Sequence, residues 1–396
     1  MKEFRCGALE PKRSGTRDGA APSMTQELTY LQNLLKLMVS RGASDLHLKA
    51  MRPPLLRIDG ELLPVKTDPL TPELVSQIAH DMMHPAQRRK LESDLAVDLG
   101  YSAPGLARFR VNIYYQRGTV GVSMRRVAFA IPTIHNLMLP PVLDFFTQRH
   151  HGLVLVTGPT GTGKSTTLAA LMQEINQQRR VHVITIEDPI EYLFKDELAS
   201  IDQREIGTDC HSFALALRNA LREDPDVVMV GEMRDLETIS TVMTAAETGH
   251  LIFSTLHTNS AAQTLTRIID VFPVEQQSQI RLQLCHVLLG VVSQRLVNRR
   301  DVRGRIAAVE VMLNSPRIQR LLSEGRIDDI QREIENSVDY YRMQTLDQSL
   351  IALIANGVVD REEALKASLS PEDLLFNLRK LGFDAEAPQE DLDRAG

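Results

Sequence analysis

Cysteine is scarce in this chain. Cys6, Cys210 and Cys285 stand far apart and form no C-x-x-C pair. That argues against a disulfide framework and against a cysteine zinc module, and it fits a reducing compartment. Long apolar runs are also missing. No stretch approaches the ~18 residues that span a bilayer as a helix, so no transmembrane segment is expected. Residues 1–23 lack the apolar core of a secretory signal. They are expected to be a disordered leader, with Met24 a candidate start. Excess positive charge is absent too. The formal net charge of -6 speaks against nucleic acid as the main partner. What is left is ordinary globular composition, with 43% hydrophobic and 24% charged residues in 396, enough for two or three domains.

Residues 24–42 carry apolar side chains at helical spacing and end at Gly42. "SDLHLKA" alternates, "PPLLRIDGELLPV" reads as a hairpin around Asp59-Gly60, and "TPELVSQIAHDMMHP" reads as a helix from Thr71 to Pro85. "ARFRVNIYYQRGTVGVSMRRV" reads as two strands joined near Arg117-Gly118. Residues 24–127 are therefore expected to form a small α+β domain with a mostly antiparallel sheet. Residues 128–150 hold Pro132, Pro140 and Pro141 without a clear period and read as a linker. From 151 the character changes. "LVLVT", "VHVITIE", "VVMVG" and "LIFST" are continuous apolar strands separated by helical stretches, the pattern of a buried parallel sheet. From about 270 to 382 the pattern reads as helical, and 383–396 as a flexible polar tail.

The segment Gly158, Pro159, Thr160, Gly161, Thr162, Gly163, Lys164, Ser165, Thr166 matches G-x-x-x-x-G-K-[S/T]. An apolar strand precedes it and a helix follows, which is the context that phosphate binding needs. Glycines let backbone N–H groups face phosphates, and the helix N-terminus adds positive potential. Lys164 is placed to reach the β- and γ-phosphates of ATP, and the Ser165 hydroxyl to bind Mg²⁺. Hydrolysis also needs a group that orients water. Glu232, just beyond "DVVMV", sits where ligands bind in open α/β sheets and is the candidate catalytic carboxylate; its alternative role is an ion pair with Arg234. Glu187 and Asp188 end another strand, where they can hold Mg²⁺ through water or polarise the attacking water. His250 and His257 bracket the strand "LIFST", and His257 falls on the loop side.

Two patterns invite over-reading. "HDMMH", His80 to His84, imitates a zinc-hydrolase helix, but Asp81 stands where glutamate is needed and Pro85 ends the helix. Arg218 and Arg222 are spaced i, i+4 on the helix before Asp224 and read as interface residues.

Phosphate loop, acidic box, "GEMRDLET" and the paired-histidine strand occur in the order seen in secretion ATPases of the type II/type IV pilus superfamily. The chain resembles their twitching-motility retraction ATPases, and the similarity runs from "RGASDLHLKAMRPPLLRIDGEL" to "MQTLDQSL". In that family the four elements are the Walker A, Asp, Walker B and His boxes. The resemblance carries Lys164, Ser165, Glu187, Glu232, His250 and His257 over as box residues. It implies a PAS-like N-terminal domain, a RecA-like P-loop ATPase domain with a helical C-terminal part, and a homohexameric ring with ATP and Mg²⁺. It implies that Arg110 and Arg125, on adjacent strands of the small domain, reach the γ-phosphate. A planar, permanently charged guanidinium suits that task. Arg108 and Arg126 read as solvated.

The implied partners are the inner-membrane pilus platform protein, a paralogous retraction ATPase and, indirectly, pilin. The implied location is cytoplasmic, at the inner-membrane base of a pilus. Two departures stand out: "SPRIQRLLSEGR" replaces the family's "AIRNLIRE", and Arg342 stands where the family tends to have glycine. They bring in an accessory paralogue as the first alternative. A pilus-extension or type II secretion ATPase is the second, set back by the missing cysteine quartet. A nucleotide-switched scaffold with little turnover is the third, set back by an intact Glu232.

Overall fold

The apolar stripe of the first helix fixes how the N-terminal part folds. In α1 (Gln26–Ser40), Leu31, Leu34, Leu35 and Met38 are buried, and residues three and four apart share one helix face. Gly42, at φ +65°, ends it: Ala43 N–H bonds back to the Met38 carbonyl at 2.9 Å, a left-handed C-terminal cap. The structure, a computed structural model, describes residues 26–58, 60–127 and 131–383. The expected leader and Asp59 lie outside the described residues, as does the tail from 384 onward. The chain divides into two compact units, one formed by Met1–Ala130 with Pro189–Leu193 and the other by Ile131–Asp188 with Phe194–Gly396.

In the first unit α1 is followed by β1 (Asp45–Lys49), β2 (Leu55–Ile58), β3 (Glu61–Pro64), α2 (Pro72–Met82), α3 (Pro85–Asp94), β4 (Ala96–Ala103), β5 (Ala107–Gln116) and β6 (Thr119–Arg126). The strands form one six-stranded sheet in the order β3-β2-β1-β6-β5-β4, with every pairing antiparallel. β5 and β6 are joined by Arg117 (φ 48°) and Gly118 (φ 75°), the two positive φ values of a tight hairpin turn. Alternation along β5 and β6 buries Phe109, Val111, Ile113, Val122 and Met124 on one face and leaves the other polar. Pro85 does not simply end a helix. It opens α3, because a proline at the first helical position lacks only an N–H that would have no partner there. His80 sits in the last turn of α2 and His84 caps α3, so the two histidines share no helix face.

The second unit begins inside the stretch that reads as a linker. A 3₁₀ turn at Pro141–Leu143 leads into α4 (Asp144–Thr147), and Leu143 and Phe146 are fully buried. Prolines shape the turns there while the apolar residues between them fill core. The unit continues with β7 (Gly152–Thr157), α5 (Lys164–Gln178), β8 (His182–Glu187), β9 (Ser200–Glu205), α6 (Phe213–Ala220), β10 (Val227–Val230), α7 (Leu236–Glu247) and β11 (Leu251–Leu256). Then come α8 (Ala261–Asp270), α9 (Val274–Val287), β12 (Leu288–Asn298), β13 (Arg305–Leu313), α10 (Pro316–Ser323), α11 (Ile330–Asn336), α12 (Val338–Tyr341), α13 (Leu346–Ala355), α14 (Arg361–Ala367) and α15 (Pro371–Lys380).

Seven strands form one sheet in the order β13-β12-β7-β11-β10-β8-β9, parallel except for the antiparallel pair β12–β13. β7, β10 and β11 are buried at every residue, as strands covered on both faces must be. The expectation of an all-helical region after 270 fails at β12 and β13. The apolar run of β12 continues directly from α9, so periodicity alone does not mark the change. A second small core joins β12 and β13 to α13, α14 and α15 through Val297, Ile306, Ala308, Leu350, Ala364 and Leu374.

Candidate functional site

The sheet order decides which strand ends meet. β7, β11, β10 and β8 are consecutive neighbours and run parallel. Their carboxyl ends therefore lie along one edge, carrying the phosphate loop, His257, Glu232 and Glu187 in that spatial order. In chain order the sequence is loop, Glu187, Glu232, His257.

The phosphate loop leaves β7 at Gly158 and enters α5 at Lys164. Gly158 (φ 145°) and Gly163 (φ 89°) both occupy conformations that disfavour side chains. A Cβ on Gly158 would also meet the Gln294 carbonyl oxygen at 2.4 Å. Lys164 is buried, and its Nζ donates to the Gly158 and Pro159 carbonyls at 2.8 and 3.0 Å. The Thr162 hydroxyl donates to the Pro159 carbonyl at 2.9 Å and braces the loop. The Ser165 hydroxyl makes no hydrogen bond among the described residues, which fits a cation ligand. Pro159, Thr160 and Gly161 are exposed, while Ser165 and Thr166 are partly so.

Glu232 follows β10 on a segment pinned from both sides. Gly231 N–H bonds to the Ile186 carbonyl at 2.8 Å, and the Thr255 hydroxyl donates to the Gly231 carbonyl at 2.6 Å. Met233 N–H bonds to the Thr255 carbonyl at 3.1 Å. So placed, Glu232 Oε2 meets Arg234 Nη2 at 2.8 Å and His257 Nε2 at 3.4 Å. The Arg234 pair, the alternative role for this residue, is thus present. It engages one oxygen, and the structure also brings Glu232 and His257 together.

Glu187 is buried at the end of β8, where it accepts from the Thr185 hydroxyl at 2.7 Å and from Gln203 Nε2 at 3.1 Å. Three strand spacings separate β8 from β7, about 14 Å. Asp188 beside it is exposed. His250 lies elsewhere. It precedes β11, which pairs with β7 from Leu251↔Gly152 to Leu256↔Thr157. That places His250 at the amino edge of the sheet, about 20 Å from the loop at ~3.3 Å per residue. Its Nδ1 faces the Ala245 carbonyl at 3.0 Å. Opposite ends of one parallel strand cannot share a site at one edge.

In the first unit Arg110 and Arg125 stand directly opposite each other on β5 and β6, both exposed on the polar face. Arg125 Nε donates to Asp45 Oδ1 at 2.8 Å, while Arg110 makes no hydrogen bond or ion pair among the described residues. Burial opposes charge on Asp45, but hydrogen bonds from Ser44 and Arg125 outweigh it and hold the carboxyl below its usual range. Arg108, expected to be solvated, donates to the Ser102 hydroxyl at 2.9 Å. The shared face expected for Arg218 and Arg222 does not form. α6 ends at Ala220, so Arg222 lies past the helix, and Arg218 pairs with Glu237 at 2.6 Å.

Sequence reasoning passed over the residues that back the loop. Thr157, the last residue of β7, shares a hydrogen bond of 2.8 Å with Ser293 on β12. Thr258, next to His257, reaches Thr264 at 2.6 Å, and Thr264 reaches Thr157 at 3.5 Å. A chain of buried hydroxyls therefore links the histidine segment to the loop strand. The signal is a polar triplet, Ser293-Gln294-Arg295, inside an otherwise apolar run.

A family model described as "Type II/IV secretion system protein" matches residues 23–366. The chain is 43% identical over 342 residues to the type IV pilus retraction ATPase PilT of Pseudomonas aeruginosa, covering 86% of this chain and 99% of that protein. It is 40% identical to the type IV pilus ATPase PilU of the same organism, covering 90% of this chain and 93% of that protein. A crystal structure of the retraction motor PilT with bound ADP superposes with TM-score 0.80 at 44% identity, covering 87% of this chain and 98% of that one. The Legionella pneumophila ATPase DotB superposes with TM-score 0.77 at 26% identity, covering 87% of this chain and 96% of that one. The second unit is accordingly a RecA-like P-loop ATPase fold, and the chain belongs to the type II/IV secretion system protein family of ATPases.

Proposed function

We propose that this protein is a hexameric ATPase motor that drives retraction of a type IV pilus. The observation that carries the proposal is the edge where the phosphate loop, His257 and Glu232 follow adjacent parallel strands, in a chain that matches a retraction ATPase over nearly its whole length. The loop glycines and Lys164 bind the ATP phosphates. The open Ser165 hydroxyl would hold Mg²⁺, with Glu187 acting through water. The ion, when bound, would supply positive charge against the phosphates. Glu232 orients and deprotonates the attacking water, and His257, in contact with it, senses the γ-phosphate. Arg110 and Arg125, supplied by the small unit of a neighbouring subunit, close on the γ-phosphate. Hydrolysis removes the ligand that favours the closed state, and the equilibrium shifts back.

The ring acts on the inner-membrane platform protein of the pilus from the cytoplasmic side, and pilin leaves the fibre base as a result. ATPase activity should therefore rise with protein concentration as the hexamer forms, with mass determined alongside. A fully active monomer would sink the scheme of arginines acting between subunits. A second reading, an accessory retraction ATPase, is favoured by the comparable identity to PilU. Deleting the gene alone and together with a paralogue separates the two, since an accessory ATPase cannot sustain retraction by itself.

A further inference from the structure

The two glycines that bound the phosphate loop face the same neighbour. A Cβ on Gly158 would lie 2.4 Å from the Gln294 backbone oxygen, and one on Gly163 would lie 3.2 Å from Gln294 Nε2. Gln294 stands on β12 one residue past Ser293, whose backbone pairs with Thr157 at the end of β7. It is 2% exposed, and both ends of its side-chain amide are used. Nε2 donates to the Thr162 carbonyl at 2.7 Å, and Oε1 accepts from the Thr167 hydroxyl at 2.9 Å. The Thr162 carbonyl can only accept, so the amide has one orientation that satisfies the contact.

We propose that Gln294 is a positioning residue of the phosphate loop, setting the aim of the Gly163 N–H at the nucleotide phosphates. The Thr162 carbonyl and the Gly163 N–H belong to one planar trans peptide and point to opposite sides of it. By drawing the carbonyl toward β12, Gln294 turns the N–H away from β12. A peptide flip, which glycine at 163 permits, would present a carbonyl oxygen to the phosphates instead of a donor. Thr167 lies one turn into α5, so the same amide ties the loop to the start of the helix. An aliphatic residue here would fill the space but leave two buried polar groups without their partner. The next residue extends the connection. Arg295 reaches Asn259, two residues past His257, at 3.3 Å, and the Ala367 carbonyl of α14 at 2.8 Å. One strand thereby references the loop, the histidine segment and the C-terminal helices to each other.

The proposal rests on the phosphate-loop reading, and its test separates the two. The affinity of the purified full-length protein for a fluorescent ATP analogue is measured across pH, with KM, kcat and thermal unfolding, for wild type, Gln294→Glu, Thr167→Val and Lys164→Ala. Gln294→Glu keeps the shape and the acceptor but loses the donor when ionised. Its affinity relative to wild type should fall at least about tenfold above neutral pH, the effect of a buried carbonyl left unpaired. It should recover as the pH drops and the neutral carboxyl regains a donor. Thr167→Val, which frees the amide to rotate and removes little packing, should weaken binding a few-fold. In both, KM should move more than kcat.

Unchanged affinity in both variants, with Lys164→Ala abolishing binding, overturns the role of Gln294. So does a loss in Gln294→Glu that ignores pH and tracks its melting temperature. Full binding by Lys164→Ala overturns the phosphate-loop reading itself.

Discussion

Glu232→Gln isolates the proposed chemical step from nucleotide binding. Glu232 Oε2 is engaged by Arg234 and His257 at 2.8 and 3.4 Å, and Oε1 has no partner among the described residues. Oε1 is therefore the atom available to water. Glutamine keeps the size of the side chain and can still accept from Arg234, but it cannot take a proton from water. Loss of a positioned general base lowers turnover by roughly 10²–10⁴-fold, about 3–5 kcal/mol on the barrier at 1.36 kcal/mol per tenfold. Lys164 and the loop backbone, which hold the phosphates, are untouched, so nucleotide affinity should stay within about threefold of wild type, a shift below 1 kcal/mol. Steady-state phosphate release and equilibrium binding of a fluorescent ATP analogue read the two quantities separately. Turnover within a few-fold of wild type would refute the assignment and move the catalytic role to Glu187.

Arg110→Ala should lower turnover by about 10³-fold or more without loss of nucleotide binding. Because the side chain is exposed and has no hydrogen-bond or ion-pair partner among the described residues, thermal stability should change by no more than about 0.5 kcal/mol, and unfolding of the small unit would make the arginine structural instead. Gly158→Ala should abolish nucleotide binding and lower the melting temperature. Backbone strain of about 1–3 kcal/mol adds to a 2.4 Å contact with a strand carbonyl that has nowhere to move; a variant with wild-type binding would show the loop to be more pliant than its geometry implies. Glu310 is buried on β13, and burial raises its carboxyl above the usual range even though Ala261 N–H and Gln331 donate to it. A raised carboxyl stabilises the fold fully below its unfolded value and loses that contribution as pH rises through the folded value. Glu310→Gln removes that dependence, so its unfolding free energy should gain on wild type as pH rises above the ordinary carboxyl range. Parallel stability curves would contradict the shift.

The sequence disclosed what is local. Continuous apolar strands, the glycines and Lys164 of the loop, and Glu232 two residues past its buried strand all follow from short-range pattern. Sheet order is not local, and it rearranged the site. His257 belongs beside the loop strand because β11 pairs with β7, while Glu187 ends up three strands away although it comes sooner in the chain. His250 was legible in principle, since a six-residue strand carries its two ends to opposite edges. Family boxes named along a sequence hide that geometry. Pro85 reads as a stop in a single sequence, yet proline is equally at home opening a helix, and α3 and β4 follow it. β12 was hidden because its leucines and valines continue the apolar run of α9. The residue most deeply engaged with the loop, Gln294, lies in that strand.

One departure from the family pattern has a local physical meaning. Arg342 ends α12 at φ 54° and ψ 32°, a left-handed conformation that costs an L-residue roughly 1–2 kcal/mol. Glycine adopts it without that cost, which accounts for a glycine preference at this place in terms of backbone alone. The Arg342 side chain is exposed and makes no hydrogen bond or ion pair among the described residues, so nothing is lost with it. Glycine forfeits about 0.5–1 kcal/mol through the greater freedom of its unfolded chain. The balance for Arg342→Gly is a stabilisation of about 0.5–1 kcal/mol, or roughly 1–4 °C in the melting temperature for a unit of this size. Arg342→Ala keeps the strain and should gain nothing, so the difference between the two variants in thermal unfolding isolates the backbone effect. Equal melting temperatures would refute it. A gain confined to glycine, with ATPase activity unchanged, would mean that arginine at 342 reports on a turn and carries no information about the direction of force.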